Sequence, residues 1–311
     1  MKNCVWLFVL ALLPTVAVAA DGPDWAYPVA PQGLPRPDPN KLVTVPGSDK
    51  QYTEVQVNDA FGPPDWFPGD HAPLPNVVAQ GVKPAVRACA LCHLTTGDGH
   101  PESASIAGLN APYIMRALRD FASGKRKGIR TTVMAEIAKG ISPEDARAAA
   151  QYFSTRKQGD GYIKVVETAE VPKTYVGEGA MRFVTANGGD EPLGNRIIVV
   201  PQDEAAARAR NPRTGFVAYV PPGSISKGEA LATTGGGKTV GCAICHGEGL
   251  EGLNEIPSIA GREPMYLVRQ LTDIKNGNRV GTWTVLMNQV VAKLDGDDII
   301  ALAAYVASRQ P

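Results

Sequence analysis

Two short runs could do chemistry in this chain: Cys89-Ala90-Leu91-Cys92-His93 and Cys242-Ala243-Ile244-Cys245-His246. Each is Cys-x-x-Cys-His, the signature of covalent haem attachment. The two thiols of a run add to the haem vinyl groups as thioethers, and the adjacent histidine is carried beneath the porphyrin to ligate iron. A zinc-binding or redox-active Cys-x-x-Cys pair is the competing chemistry. Zinc would want four ligands per site and each run supplies three. A thioredoxin-like site has no need of the following histidine, still less twice.

The elements that position these runs repeat with them. An offset of 153 residues carries the first run onto the second. Without a gap it also pairs Ser105-Ile106-Ala107-Gly108 with Ser258-Ile259-Ala260-Gly261, Tyr113 with Tyr266, Arg116 with Arg269, Leu118 with Leu271 and Asp120 with Asp273. It continues through Gly124 and Gly277, Arg126 and Arg279, Gly128 and Gly281, Met134 and Met287, Asp145 and Asp298, Tyr152 and Tyr305. A fixed offset of this kind means a duplicated structural unit.

With these residues in view the chain resembles the two-domain dihaem class I cytochromes c, of the cytochrome c4 type. The resemblance covers residues 76–157 and 223–311. It implies two small all-α domains, each with an N-terminal helix leading into the attachment run, a middle helix, and a C-terminal helix crossing the first. The residues themselves predict the later helices. Ser142-Pro143-Glu144-Asp145 and Asp295-Gly296-Asp297-Asp298 each read as an N-cap with an acid three residues on. Pro112 and Pro264 mark the starts of middle helices with Leu118 and Leu271 on their apolar faces.

The sixth iron ligand has to come from outside the runs. Met134 and Met287 each stand 41 residues after the histidine of their run. Met115, Met181 and Met265 have no methionine partner at the 153 offset, and a lone methionine is ordinarily core filler. The expected iron ligands are therefore His93 with Met134 and His246 with Met287. His71 and His100 are the remaining histidines; their Gly- and Pro-containing loops predict solvated surface side chains. Arg126, Arg279, Arg116, Arg269, Tyr113 and Tyr266 could bond haem propionates or serve as ordinary surface and packing residues. One departure from the family stands out: Pro257 precedes the second Ser-Ile-Ala-Gly where the first half has Ala104, so packing around the first haem is expected to differ.

Residues 1–20 read as a secretory signal peptide: Lys2, an apolar run from Val5 to Leu13, then small residues, with cleavage expected after Ala19 or Ala20. Cleavage removes Cys4 and leaves four cysteines, all in the attachment runs. The apolar run is shorter than the ~20 residues a membrane span needs. The expected location is periplasmic, with no membrane span after cleavage. Balanced charge, 31 basic and 31 acidic residues, gives no nucleic-acid footprint.

Two segments fall outside the repeat. Residues 21–75 carry twelve prolines with scattered aromatics, an extended segment expected to lie over a haem domain. Residues 158–222 contain two β-branched runs, Arg196–Val200 and Phe216–Val220, expected as short strands ended by Pro201 and Pro221. These segments read either as a brace between the haem domains or as a docking surface. The expected architecture is thus mostly α: signal 1–20, Pro-rich extension 21–75, haem domain 76–157, interdomain segment 158–222 and haem domain 223–311. The expected function is single-electron transfer between a redox protein donor and acceptor, without enzymatic catalysis. The alternatives are an electron-accepting subunit of a periplasmic dehydrogenase or oxidase and, less favoured, a dihaem peroxidase-like enzyme, which would need an open iron position.

Overall fold

Each attachment run folds as one helical turn, Ala90–His93 and Ala243–His246. The computed structural model describes residues 22–311; the expected signal segment, with Cys4, lies outside the described residues. After the first run come three helices, Ala111–Ala122, Thr132–Gly140 and Pro143–Ser154. After the second come Pro264–Lys275, Thr284–Val291 and Gly296–Ser308.

The helix starts follow from the capping chemistry. Ser142 accepts from the Asp145 N–H at 3.0 Å. Asp295 and Asp298 form a reciprocal capping box. The middle helices carry their prolines in the first turn, behind Asn110 in one half and Glu263 in the other. Each cap satisfies amide donors that a helix start would otherwise leave orphaned.

The halves differ at their entrances. The second has a full first helix, Ser224–Thr234, which lies against Gly296–Ser308. A Cβ on Gly228 would collide with the Ala301 carbonyl, so glycine sets this close crossing. In the first half the corresponding helix shrinks to the single turn Asn76–Ala79. Pro73 and Pro75 precede it, and Gly81 at φ +66° ends it.

Ile198–Pro201 and Phe216–Val220 are strands that pair antiparallel with Val199 opposite Ala218; the first starts two residues later than its composition predicts and takes in Pro201, the residue predicted to end it. A third strand, Ile163–Glu167, runs parallel to Phe216–Val220 and completes the sheet. Ile197, Val199, Phe216, Ala218 and Val220 share one core with Ile299, Leu302 and Val306 of the last helix. The first half has its own core, around Val77, Leu109, Ile114, Ile137, Ala150 and Phe153. Ala26 and Tyr27 enter the second half's core. Trp66 and Phe67 instead form a small cluster with Val45, Val57 and Ala209, and the Trp66 indole N–H donates to the Ala209 carbonyl at 2.7 Å.

Two expectations need correction. His100 is not a solvated loop residue: it is 3% exposed, edge-on to the Phe216 ring, with Nδ1 3.3 Å from Glu102 Oε1. The His71 side chain is likewise covered, its Nε2 3.1 Å from Asp65 Oδ1 and its ring edge-on to Tyr152. Both loops are polar in composition, but distant segments of the chain fold over them. Among the described residues no helix is long and apolar enough to cross a membrane.

Candidate functional site

The one-turn helices present their side chains to two adjoining cavities, which share Leu109, Tyr113, Ala117, Tyr266 and Gln270 as wall. Cys89, Cys92, His93 and Met134 line a cavity of about 400 Å³ in the first half. Cys242, Cys245, His246 and Met287 line one of about 190 Å³ in the second. The helices Thr132–Gly140 and Thr284–Val291 carry the methionines to the cavities. Leu109, Ile114 and Leu118 wall the first cavity; Leu267, Leu271 and Leu302 wall the second. Each therefore joins an apolar slot to one imidazole, one thioether and two thiols.

The histidines are oriented alike. His93 Nδ1 lies 2.8 Å from the Ala104 carbonyl and His246 Nδ1 lies 2.9 Å from the Pro257 carbonyl. Burial lowers the pKa of both rings, so each is neutral at pH 7 and donates Nδ1–H to its carbonyl. That tautomer leaves the Nε2 lone pair free for a metal. Because the acceptor is a backbone carbonyl, the change from Pro257 to Ala104 does not alter the bond. The expected difference between the halves is absent at this contact.

The thiols argue against thiolate chemistry. Burial pushes Cys89 up to about 12 and Cys242 up to about 11. Redox-active cysteines show the opposite shift.

The donor set between the halves fits an anionic group. Arg126, Arg262 and Arg269 are buried and Arg279 is half-buried. None of the four forms an ion pair among the described residues. The buried carboxyls near them, Glu263 and Asp273, are pulled toward the neutral form by burial, Glu263 up to about 7. Buried guanidinium groups with no carboxylate at ion-pair distance are costly, and haem propionates would supply such a partner. Of the repeated propionate candidates, Arg116 already pairs with Glu255. Arg269 donates to the Ala26 and Pro101 carbonyls at 3.0 and 2.7 Å.

The repeated residues also meet across the two halves, which the spacing did not reveal. Arg126 Nη2 donates to the Tyr266 hydroxyl at 2.9 Å, and Arg279 Nη2 to the Tyr113 hydroxyl at 3.1 Å. Gly128 packs on the Asp273 carboxylate and Gly281 on the Asp120 carboxylate. The backbone N–H of Lys127 donates to Asn278 O at 2.8 Å, and that of Val280 to Lys125 O at 2.7 Å. A residue that repeats in both halves without a place at the iron is the signal for such a reciprocal interface.

No protein-family model matches the chain. It is 24% identical over 236 residues to a cytochrome c4 of Stutzerimonas stutzeri, covering 73% of this chain and 87% of that one. It is 33% identical over 70 residues to cytochrome c-554(548) of Halomonas halodenitrificans, 22% of this chain and 84% of that protein. It is 35% identical over 86 residues to the cytochrome subunit of sulfide dehydrogenase of Chlorobaculum tepidum, 28% of this chain and 69% of that subunit. With two duplicated cavities and these relatives, the chain belongs to the c-type cytochromes, as an electron-transfer protein of the cytochrome c4 type that carries two covalently attached haems.

Proposed function

We propose that this is a periplasmic carrier passing single electrons between a redox protein donor and acceptor, with no catalysis of its own. In this reading Cys89 and Cys92 hold the first haem and Cys242 and Cys245 the second. His93 and Met134 ligate one iron, His246 and Met287 the other. Each haem supplies a one-electron ferric–ferrous couple when bound. The chain's own residues fix the imidazoles through the Ala104 and Pro257 carbonyls, wall the slots from water and place buried guanidinium groups between the halves. The haem domains are residues 76–157 and 223–311; residues 21–75 and 158–222 brace them.

The observation that carries this reading is the sharing of one cavity by a histidine and a methionine in both halves. A peroxidase-like enzyme needs one iron with an open position, and the duplication offers a thioether to each. A second reading, an electron-accepting subunit of a dehydrogenase, draws support from the sulfide dehydrogenase subunit among the relatives. The test is the absorbance of the mature protein, oxidised and reduced, with haem counted per chain and the ferric methionine–sulfur band quantified. Two haems with two bands are expected. One haem lacking the band, with a high-spin iron that binds peroxide, would overturn the symmetric assignment. Co-purification with an enzyme would favour the subunit reading.

A further inference from the structure

The segments outside the repeat do not treat the two cavities alike. Three arginines in the wall of the first cavity are held there by uncharged acceptors. Arg130 donates to the Pro28 carbonyl of the N-terminal extension. Arg269 donates to the Ala26 carbonyl of the same extension and to the Pro101 carbonyl, at 3.0 and 2.7 Å. Arg210, from the interdomain segment, donates to the Leu91 carbonyl at 2.5 Å, to the Val57 carbonyl at 3.0 Å and to Asn58 Oδ1 at 3.2 Å. None of the three forms an ion pair among the described residues. Burial, and after it the nearby Arg269, lowers the pKa of Arg130 against the opposing pull of Glu102. Burial likewise lowers that of Arg210.

The second cavity has no equivalent. The 153 offset places Trp283 where the first half has Arg130, and Arg116 where the second half has Arg269. Both line the second cavity, but Trp283 is uncharged and Arg116 is paired with the Glu255 carboxylate. The complete walls keep the difference. The first adds Arg87, which is exposed, and Arg126, against Glu102 and Asp273; the second has Arg116, Arg262 and Arg279 against Asp120 and Glu255. With two carboxylates in each wall, the first holds an excess of two arginines. It is also the better covered: Leu91 in its attachment run is 7% exposed and the counterpart Ile244 is 73% exposed. The Ala88 N–H, just before that run, donates to the Ala60 carbonyl of the extension at 2.8 Å.

Reduction of a ferric haem adds one negative charge to its site. Positive side chains beside the site favour that change, and exclusion of water strengthens their effect. We infer that Arg130, Arg210 and Arg269, held at the first slot by the segments outside the repeat, give the first haem the higher reduction potential, so that a single electron carried by the protein rests in the first half. This rests on the electron-transfer reading above. The extension and the interdomain segment then tune one of the two haems as well as bracing the domains.

The test is a spectroelectrochemical titration of the full dihaem protein, with the two midpoints resolved. Arg130→Gln removes one charge at a residue that neither ligates iron nor attaches haem. It is expected to shift the ferric–ferrous equilibrium of the higher-potential haem about tenfold toward ferric, a fall of about 59 mV for one electron, and to move the other less than about twofold. Arg130→Lys keeps the charge and is expected to hold the higher midpoint within about twofold of wild type. Both variants should keep two haems and two methionine–sulfur bands, which separates a lost charge from a lost fold. Met134→His exchanges a ligand in the first half alone and marks its midpoint independently, and the higher midpoint is the one expected to fall. One midpoint shared by both haems, a fall of the lower midpoint in Arg130→Gln or Met134→His, an unmoved higher midpoint in Arg130→Gln, or an equal fall in Arg130→Lys would overturn the inference. A wild-type protein lacking a methionine–sulfur band would instead overturn the carrier reading on which it rests.

Discussion

Arg126 and Arg279 lie opposite one another as an isolated antiparallel bridge, and both guanidinium groups donate to Oε1 of Gln270, at 2.6 and 2.9 Å. One side-chain amide thus collects a positive group from each half. Gln270 has no counterpart in the first half, where the 153 offset gives Ala117. The interface is reciprocal in its arginines, tyrosines, glycines and aspartates, and breaks its symmetry at this residue.

The glycine–aspartate contacts can be tested by coupling. Gly128→Ala should destabilise the dihaem protein by about 1–3 kcal/mol, because the added methyl meets the Asp273 carboxylate. Combining it with Asp273→Ala should recover about 1 kcal/mol or more relative to the sum of the singles. Combining it with Asp120→Ala should be additive. Denaturant midpoints for the three single and two double variants and the wild type decide between these outcomes.

Glu263 predicts a pH dependence. Its carboxyl is buried and raised to about 7, while its oxygens accept from the Met265 and Tyr266 amides at 3.1 and 2.6 Å. A carboxyl raised on folding contributes its full stabilisation below its ordinary pKa near 4.5 and loses it as pH rises toward 7. The loss in wild type is of order 3 kcal/mol. Glu263→Gln keeps an acceptor for the helix start and removes the titration. Melting temperatures at pH 5 and pH 7.5 should therefore converge in the variant relative to wild type.

Asp295 titrates with the opposite sign. Its hydrogen bond with Lys238 holds the carboxyl down at about 2. Its contribution is present above the ordinary value of 3.8 and fades as pH falls through about 2. Asp295→Ala removes the cap of the last helix and should cost about 1 kcal/mol at pH 7. Acid titration of helicity should show the variant and wild type drawing together at the low end.

The Gly228 crossing makes a sharper claim. Gly228→Ala improves helix propensity but drives a methyl into the Ala301 carbonyl. The expected net effect is a loss of about 1–3 kcal/mol. Gly296→Ala is the control, since a Cβ there meets nothing within 4 Å. If calorimetry finds Gly228→Ala as stable as wild type, the crossing is looser than described.

Much of the site was legible because it is local. Cys-x-x-Cys-His is contiguous, and the repeat singles out Met134 and Met287, which line the two cavities. The Ser142 and Asp295 caps read directly, because capping chemistry spans four residues. What escaped is what depends on distant chain. His100 sits in a Gly-Asp-Gly-His-Pro loop that reads as solvated, and Phe216, more than a hundred residues away, covers it. The pairs Asp120 with Asp273 and Gly128 with Gly281 were visible in the repeat. One chain's spacing does not say that each glycine packs on the aspartate of the other half. The strand Ile163–Glu167 was missed for a related reason: Lys164 and Glu167 interrupt its apolar pattern, and its partner lies some fifty residues on.

The shortening of the first half's entrance helix to Asn76–Ala79 bears on autonomy. The second half has its own pair of crossed helices. The first half borrows what it lacks: His71 stands at Tyr152, Ala60 at Ala88, Arg210 at Leu91 and Tyr162 at the Gly99 carbonyl. The first half keeps a core of its own, yet takes the cover of its attachment run from the extension and the linker. Cut free of the extension and the linker, residues 76–157 would lose the contacts that close their own haem slot. The two copies thus lean on the added segments in different ways: one takes from them the cover of its attachment run, the other part of its core.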